Sequence, residues 1–137
     1  MISAKASTKQ DWNPCLVLFN YDRYTWAGAM PGNTGTTNSG QMANAWFYQV
    51  KGGIKPTDKL DIGLSLSFAQ ADKVAATIVS KDYGYEIDVT GTYKITNNLS
   101  YMLGLGYLFT GDYYKGTSAA NSVANNYLVI NKLTLTF

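Results

Sequence analysis

The segment that decides the fold is residues 83–110, which reads YGYEIDVTGTYKITNNLSYMLGLGYLFT. Its odd-numbered positions are almost all apolar or aromatic, while its even-numbered positions are mainly small or polar. Such a period of two is typical of a β-strand with two unlike faces, because successive side chains point to opposite sides of the sheet. The turn-forming residues Thr96, Asn97 and Asn98 divide the segment, so the sequence predicts an antiparallel hairpin.

Matching like faces across this hairpin predicts its register, because a slip of one residue would put every side chain on the wrong face. The matched register places Tyr93 beside Tyr101 and Tyr85 beside Phe109. The two aromatic pairs are then separated by roughly 27 Å of strand, at about 3.4 Å per residue. With a tilt of about 40°, this gives roughly 20 Å of height, near the ~25 Å apolar band between the aromatic girdles of outer-membrane barrels.

Three further segments alternate in the same way, at 42–54, 60–68 and 127–137. Pro56 cannot donate to a ladder, so we expect the first of these strands to end before a turn at 55–59. Face matching across that turn pairs Ile54 with Leu60 and Trp46 with Phe68.

The connections between these segments alternate between short and long. The short turns are 55–59 and 96–98, and the longer polar connections are 22–41, 71–82 and 111–125. Outer-membrane barrels have this asymmetry, with short periplasmic turns and long extracellular loops. The sequence therefore predicts an all-β fold, namely part of an antiparallel up-and-down transmembrane β-barrel.

The predicted organisation is a single barrel segment over residues 1–137. Residues 42–137 supply five transmembrane strands, and residues 1–41 form a long loop or a partial strand region. Within the latter, residues 15–21 are a short extended run that either spans the bilayer or packs within an extracellular loop. Because closing a membrane barrel takes at least about eight strands, we expect this chain to be the C-terminal part of a longer barrel.

The composition excludes several classes of function. The net charge is only +2, which gives no electrostatic reason to expect a nucleic-acid partner. Histidine is absent and Cys15 is the only cysteine, so the commonest general base and a cysteine metal cluster are both missing. We therefore predict no catalytic residues, no metal, no cofactor and no enzymatic activity.

Two sets of residues follow from the alternation. Charged or polar side chains on the polar face are the candidates for the lumen: Gln49, Lys51, Asp61, Glu86, Asp88, Lys94 and Lys132. They either line a wet lumen with scattered charges or act as a selectivity element. The candidates for the aromatic girdle are Trp46, Phe68, Tyr85, Tyr93, Tyr101, Phe109 and Phe137.

Two glycines on the predicted lumen face, Gly104 and Gly106, fit either of two structural roles. They allow either a bulge or curvature of the barrel, or the close approach of an inward-folded loop or plug.

The last residues, Lys132 to Phe137, resemble the C-terminal β-signal of Gram-negative outer-membrane proteins, an alternating strand that ends in Phe. The run from Asp82 to Tyr114 resembles the last hairpin of porin-type, alginate-export-like barrels. This resemblance implies a location in the bacterial outer membrane and contact with its lipid. It also implies recognition of the Phe137 strand by the barrel-assembly machinery, and further strands from a longer chain or a second copy.

Three functions remain open from the sequence. The first is a porin-like channel through which small polar solutes diffuse, and the second is a non-conducting barrel with a structural or anchoring role. The third is a soluble, lipocalin-like barrel that binds an apolar ligand inside. The small number of charges on the polar faces favours a membrane barrel over a soluble one, since a soluble surface carries about 25–35% charged residues.

Overall fold

The computed structural model describes residues 14–20 and 44–137, and the regular secondary structure within these is almost entirely β-strand. Its strands are β1 (Ala45–Thr57), β2 (Leu60–Ala71), β3 (Asp82–Lys94), β4 (Leu99–Thr110) and β5 (Asn126–Leu135), with one short 3₁₀ helix at Asp112–Lys115. All four neighbouring pairs are antiparallel, and the sheet order is β1-β2-β3-β4-β5. The predicted all-β class and up-and-down order are confirmed. The predicted loop at 22–41 and partial strand near the N-terminus lie outside the described residues.

The hairpin of β3 and β4 has the predicted register. Tyr93 pairs with Tyr101 and Tyr85 pairs with Phe109, with no shift between them. The backbone N–H groups of Ile95 and Thr96 both donate to the carbonyl of Leu99, which closes the turn. The register is fixed because the hydrophobic alternation and the turn position favour the same pairing.

The predicted register of β1 against β2 is wrong by two residues. Ile54 pairs with Ile62 rather than Leu60, so the partner of Phe68 is Tyr48 rather than Trp46. Strand β1 continues through Pro56 to Thr57, and a register shift lies between Ile54 and Thr57. A bulge of this kind accommodates a proline, because the ladder there requires no N–H donor.

A tight turn follows this bulge and explains why the strands are longer than expected. The hydroxyl oxygen of Thr57 accepts hydrogen bonds from the backbone N–H groups of Lys59 and Leu60. Such a side-chain acceptor stabilises a short turn. The turn therefore takes only Asp58 and Lys59 out of the sheet, instead of the five residues expected from the sequence.

The two ends of the sheet differ in the length of their connections. Residues 72–81 and 111–125 connect strands at one end, which we call the long-loop end, and the short turns lie at the other. The N–H of Val79 donates to the carbonyl of Gly116, which joins the two long connections. The predicted asymmetry between short and long connections is confirmed for these residues.

The two faces of the sheet have opposite chemistry, and the apolar one is the exposed one. The exposed fraction is 73% for Val50, 48% for Leu105 and 61% for Val129. On the other face Glu86 is fully buried and Asp88 is 4% exposed. We call these the apolar face and the polar face. Among the described residues there is no helix that is both long and apolar enough to span a membrane.

Candidate functional site

The polar face is covered by residues 14–20, which we call segment 14–20. This segment contains bends and a turn but no strand, and all its residues except Leu16 are buried. The side-chain amide of Asn20 donates to the carbonyls of Cys15 and Leu16 at 3.0 and 3.1 Å, which holds the segment in a compact turn. Residues 15–20 form no strand, which disagrees with the prediction of a spanning strand, whereas the prediction that 15–21 packs within an extracellular loop stays a prediction.

Two acidic side chains of β3 hold the backbone of segment 14–20. The N–H groups of Val17 and Leu18 donate to the two carboxylate oxygens of Glu86, each at 2.6 Å. The N–H of Leu16 donates to Oδ2 of Asp88 at 3.3 Å. Three consecutive N–H groups are therefore directed at carboxyl oxygens of two neighbouring acids.

Neighbouring strands add a second set of polar contacts beneath the segment. The side-chain amide of Gln49 donates to the carbonyl of Pro14 at 2.7 Å, and it also lies within 3.0 Å of the hydroxyls of Ser65 and Ser67. The register explains this proximity, because Gln49, Ser67 and Glu86 occupy one row across β1, β2 and β3.

A small apolar cluster forms where segment 14–20 meets the long-loop end. The ring of Phe19 packs edge-on against Phe47 and Tyr83, with centroid distances of 5.7 and 6.1 Å. Tyr83 in turn contacts Tyr113 of the 3₁₀ helix at 4.5 Å. These aromatic contacts bury Tyr83 almost completely and fix the segment against the sheet.

The two glycines of the polar face lie directly under the segment. A Cβ atom on Gly106 would lie 3.0 Å from Cβ of Leu16 and 2.9 Å from Oδ1 of Asp88. A Cβ atom on Gly104 would lie 3.0 Å from Cδ1 of Leu16. Neither glycine lies at a bulge, because β4 pairs with β3 and β5 without a shift. The predicted bulge is therefore absent, the predicted close approach of another segment is seen in the contacts with Leu16, and a role in barrel curvature stays a prediction.

The predicted lumen residues divide into two groups. Three lie at segment 14–20, namely Gln49, Glu86 and Asp88, and Lys51 is exposed and borders a cavity of about 200 Å³ beside it. The other three, Asp61, Lys94 and Lys132, are exposed and are not brought to this site. Asp61 instead forms an exposed ion pair with Lys55 at 3.2 Å.

The aromatic residues form bands on the apolar face. One row across the sheet joins Tyr48, Phe68, Tyr85 and Phe109. Phe68 lies 4.8 Å from Tyr85 and 6.4 Å from Tyr48 in this row. The sequence prediction omitted Tyr48, Tyr107 and Tyr127, although their positions in the alternation place them on this face. Trp46, Tyr93 and Tyr101 are also exposed, and Phe137 lies beyond the end of β5.

Cys15 is the functional candidate that sequence spacing does not reveal. Its thiol donates to the hydroxyl oxygen of Ser67 at 3.2 Å, and one ligand atom from each of Cys15, Glu86 and Asp88 lies within 4.8 Å of the other two. Burial, with the nearby Glu86 carboxylate, raises the pKa of the Cys15 thiol. The sequence predicts no metal site because these residues lie far apart along the chain and have no motif spacing.

Comparison with known proteins gives no relative. The chain matches no protein-family model, no curated protein and no solved structure. The functional proposal therefore rests on the geometry of the two faces and of segment 14–20.

Proposed function

We propose that β1–β5 form part of the wall of a membrane-spanning β-barrel. In this arrangement the apolar face contacts lipid and the polar face lines the lumen. The observation that carries the proposal is the reversed distribution of burial, since Val50 and Leu133 are 73% and 64% exposed whereas Glu86 is fully buried. A water-soluble sheet places its apolar face in the core, because burial of apolar surface is worth roughly 25 cal/mol per Å².

The rows of aromatic residues support the same orientation. Tyr85 and Phe109 pair near the long-loop end, whereas Tyr93 and Tyr101 pair near the short turns. Aliphatic side chains such as Val89 and Leu105 lie between these two levels. Tyrosine at two levels with an aliphatic band between them suits the two interfaces of a bilayer, where the ring meets lipid and the hydroxyl meets water.

The function that we propose for such a barrel is the passage of small polar solutes, in a bacterial outer membrane. Acidic and basic groups on the polar face would line the route, with Lys51 exposed beside Asp88. Segment 14–20 would narrow the lumen at the level of Glu86 and Asp88, and so would limit the size of solute that passes.

A second candidate is a barrel that does not conduct and serves a structural or anchoring role. Its support is the same segment, because Val17, Leu18 and Phe19 are each at most 5% exposed and fill the space above the polar face. A plug held by buried hydrogen bonds would close a narrow barrel. Single-channel recording in a planar bilayer separates the candidates, because only the first gives a steady conductance.

The orientation of the faces is tested by arginine substitutions in the assembled membrane protein. Leu105→Arg on the apolar face is expected to cost about 2–4 kcal/mol of folding free energy in liposomes, because lipid does not solvate the charge. Thr92→Arg on the polar face is the matched control, since its cross-strand neighbour is Asp61. Equal costs for the two substitutions would contradict the proposal.

A further inference from the structure

Three potential metal ligands from distant parts of the chain meet beneath segment 14–20. Cys15 belongs to the segment, whereas Glu86 and Asp88 lie on the same face of β3. The sulfur and one oxygen of each carboxylate all lie within 4.8 Å of one another. All three residues are buried, with exposed fractions of 3%, 0% and 4%.

The two acids of this cluster form no ion pair among residues 14–20 and 44–137. The ion pairs there join Lys55 to Asp61 and Lys115 to Asp112, and neither includes Glu86 or Asp88. Two buried carboxyl groups this close are unfavourable as a pair of anions unless a proton or a cation lies between them. The exposed Lys51 borders the adjoining cavity, and its charge acts on Asp88 and Cys15 from there without forming an ion pair.

One oxygen of Asp88 points independently to a ligand. Oδ2 accepts the N–H of Leu16, whereas Oδ1 is buried and has no hydrogen-bond partner among residues 14–20 and 44–137. Gly106 leaves room for this oxygen, because any side chain there would begin 2.9 Å from it. A buried polar oxygen without a partner is rare and destabilising, and a bound cation would satisfy it.

The donor set identifies the class of ion. One sulfur and two carboxylates suit a borderline-soft divalent ion such as Zn²⁺, whereas Ca²⁺ takes about six to eight oxygen ligands. Ligand atoms around one tetrahedral Zn²⁺ lie roughly 3.3–3.8 Å apart, given bond lengths of about 2.0–2.3 Å. The three groups here would therefore need to approach by no more than about 1–1.5 Å. The cavity of about 200 Å³ is lined by both Cys15 and Asp88, and it leaves space for a fourth ligand.

We propose that Cys15, Glu86 and Asp88 bind one divalent transition-metal ion. Zn²⁺ is the ion whose preferred ligands match this set best. The thiol proton of Cys15 passes to solvent when the ion binds. Because Cys15 lies on the segment and both acids lie on β3, the ion fastens segment 14–20 to the sheet. This site does not depend on the membrane function proposed above, since its ligands and their burial are properties of the chain itself.

The test uses the full chain in detergent micelles, stripped of metal and titrated with Co²⁺ as a spectroscopic probe of zinc sites. The expected result is saturation at one equivalent, a thiolate-to-cobalt charge-transfer band in the near ultraviolet, and loss of that band when Zn²⁺ is added. Far-ultraviolet circular dichroism establishes, for each variant, that the β-sheet is retained.

Three variants make the result specific. Cys15→Ser should remove the charge-transfer band, and Asp88→Asn should weaken binding at least tenfold even with Cys15 intact. Asp61→Asn is the matched control, because this acid lies on the same face but pairs with the exposed Lys55, and it should bind as the parent does. The proposal is overturned if Co²⁺ does not saturate the chain, if the band persists in Cys15→Ser, or if the two Asp variants behave alike.

Discussion

The backbone N–H of Val17 donates a 2.6 Å hydrogen bond to Oε1 of Glu86, a residue 69 positions further along the chain. The next N–H, that of Leu18, reaches the second carboxylate oxygen at the same distance. One side chain of β3 therefore fixes two successive peptide groups of a segment that has no strand partner. Glu86 accepts two of the three backbone hydrogen bonds that Leu16, Val17 and Leu18 donate to the acids of β3.

Glu86→Gln should loosen segment 14–20 without disrupting the sheet. The amide retains one acceptor oxygen but turns its NH₂ group toward a second backbone N–H, so one of the two hydrogen bonds is lost and a buried N–H is left without an acceptor. We expect a loss of about 2–3 kcal/mol in the stability of the docked segment. The rate of limited proteolysis within residues 14–20 measures how firmly the segment is docked, and Asp61→Asn is the control. Equal protease resistance of the two variants would contradict the assigned role of Glu86.

Gly106→Ala should displace the segment by steric conflict. The new Cβ would meet Cβ of Leu16 and Oδ1 of Asp88 at 3.0 and 2.9 Å, and overpacking of this kind typically costs about 1–3 kcal/mol. Gly91→Ala is the matched control, because a Cβ there has no atom within 4 Å. Chemical unfolding should show a loss of stability for the first variant and little change, or a small gain, for the second. An equal effect at both positions would show that segment 14–20 does not pack on Gly106.

The sequence predicts the sheet better than it predicts the site, for physical reasons that these residues illustrate. The register of β3 with β4 follows from side-chain alternation and from one turn, both of which are local. The predicted register of β1 with β2 fails because a proline such as Pro56 is expected to end a strand, whereas a bulge lets this strand continue.

The sequence does not predict the site at segment 14–20, for a different reason. Leu16, Val17 and Leu18 contact the acids through backbone N–H groups, which every residue but proline carries, so no side-chain pattern marks them. A partial signal exists in Asp88 and Gly106, which are cross-strand partners on the polar face. An acid beside a glycine there indicates that something approaches closely, but it does not say which part of the chain does so.

Removal of Phe137 should impair membrane assembly far more than a deletion in the long connection at 111–125. The prediction rests on the resemblance of the last strand to a β-signal, in which the terminal aromatic residue is recognised during assembly. Deletion of residues 117–120 is the control, because this part of the connection is largely exposed and loop tips tolerate change. The measurement is the amount of folded protein in the outer-membrane fraction of expressing cells. If the two deletions assemble equally well, the resemblance of the C-terminus is accidental.

Strands β1 and β5 form the two edges of the sheet. Strands β1 and β5 run in the same direction, because four successive antiparallel pairings separate them. A second copy inserted in the same orientation would therefore bring β1 beside β5 in a parallel pairing. Closing an entirely antiparallel barrel would instead take an odd number of additional strands between these two edges.

Residues 1–137 alone should consequently associate in buffer and form no conducting pore in a bilayer. In water the exposed apolar face and the two edges both favour association, whereas detergent covers the face and should keep the sheet dispersed. In a bilayer, lipid offers no partner to the backbone groups of β1 and β5 that are unpaired within residues 14–20 and 44–137. Light scattering after size exclusion, with and without detergent, measures the first effect, and planar-bilayer recording measures the second. A monodisperse monomer in plain buffer would mean that the apolar face is covered in solution, and it would favour the soluble apolar-ligand barrel instead.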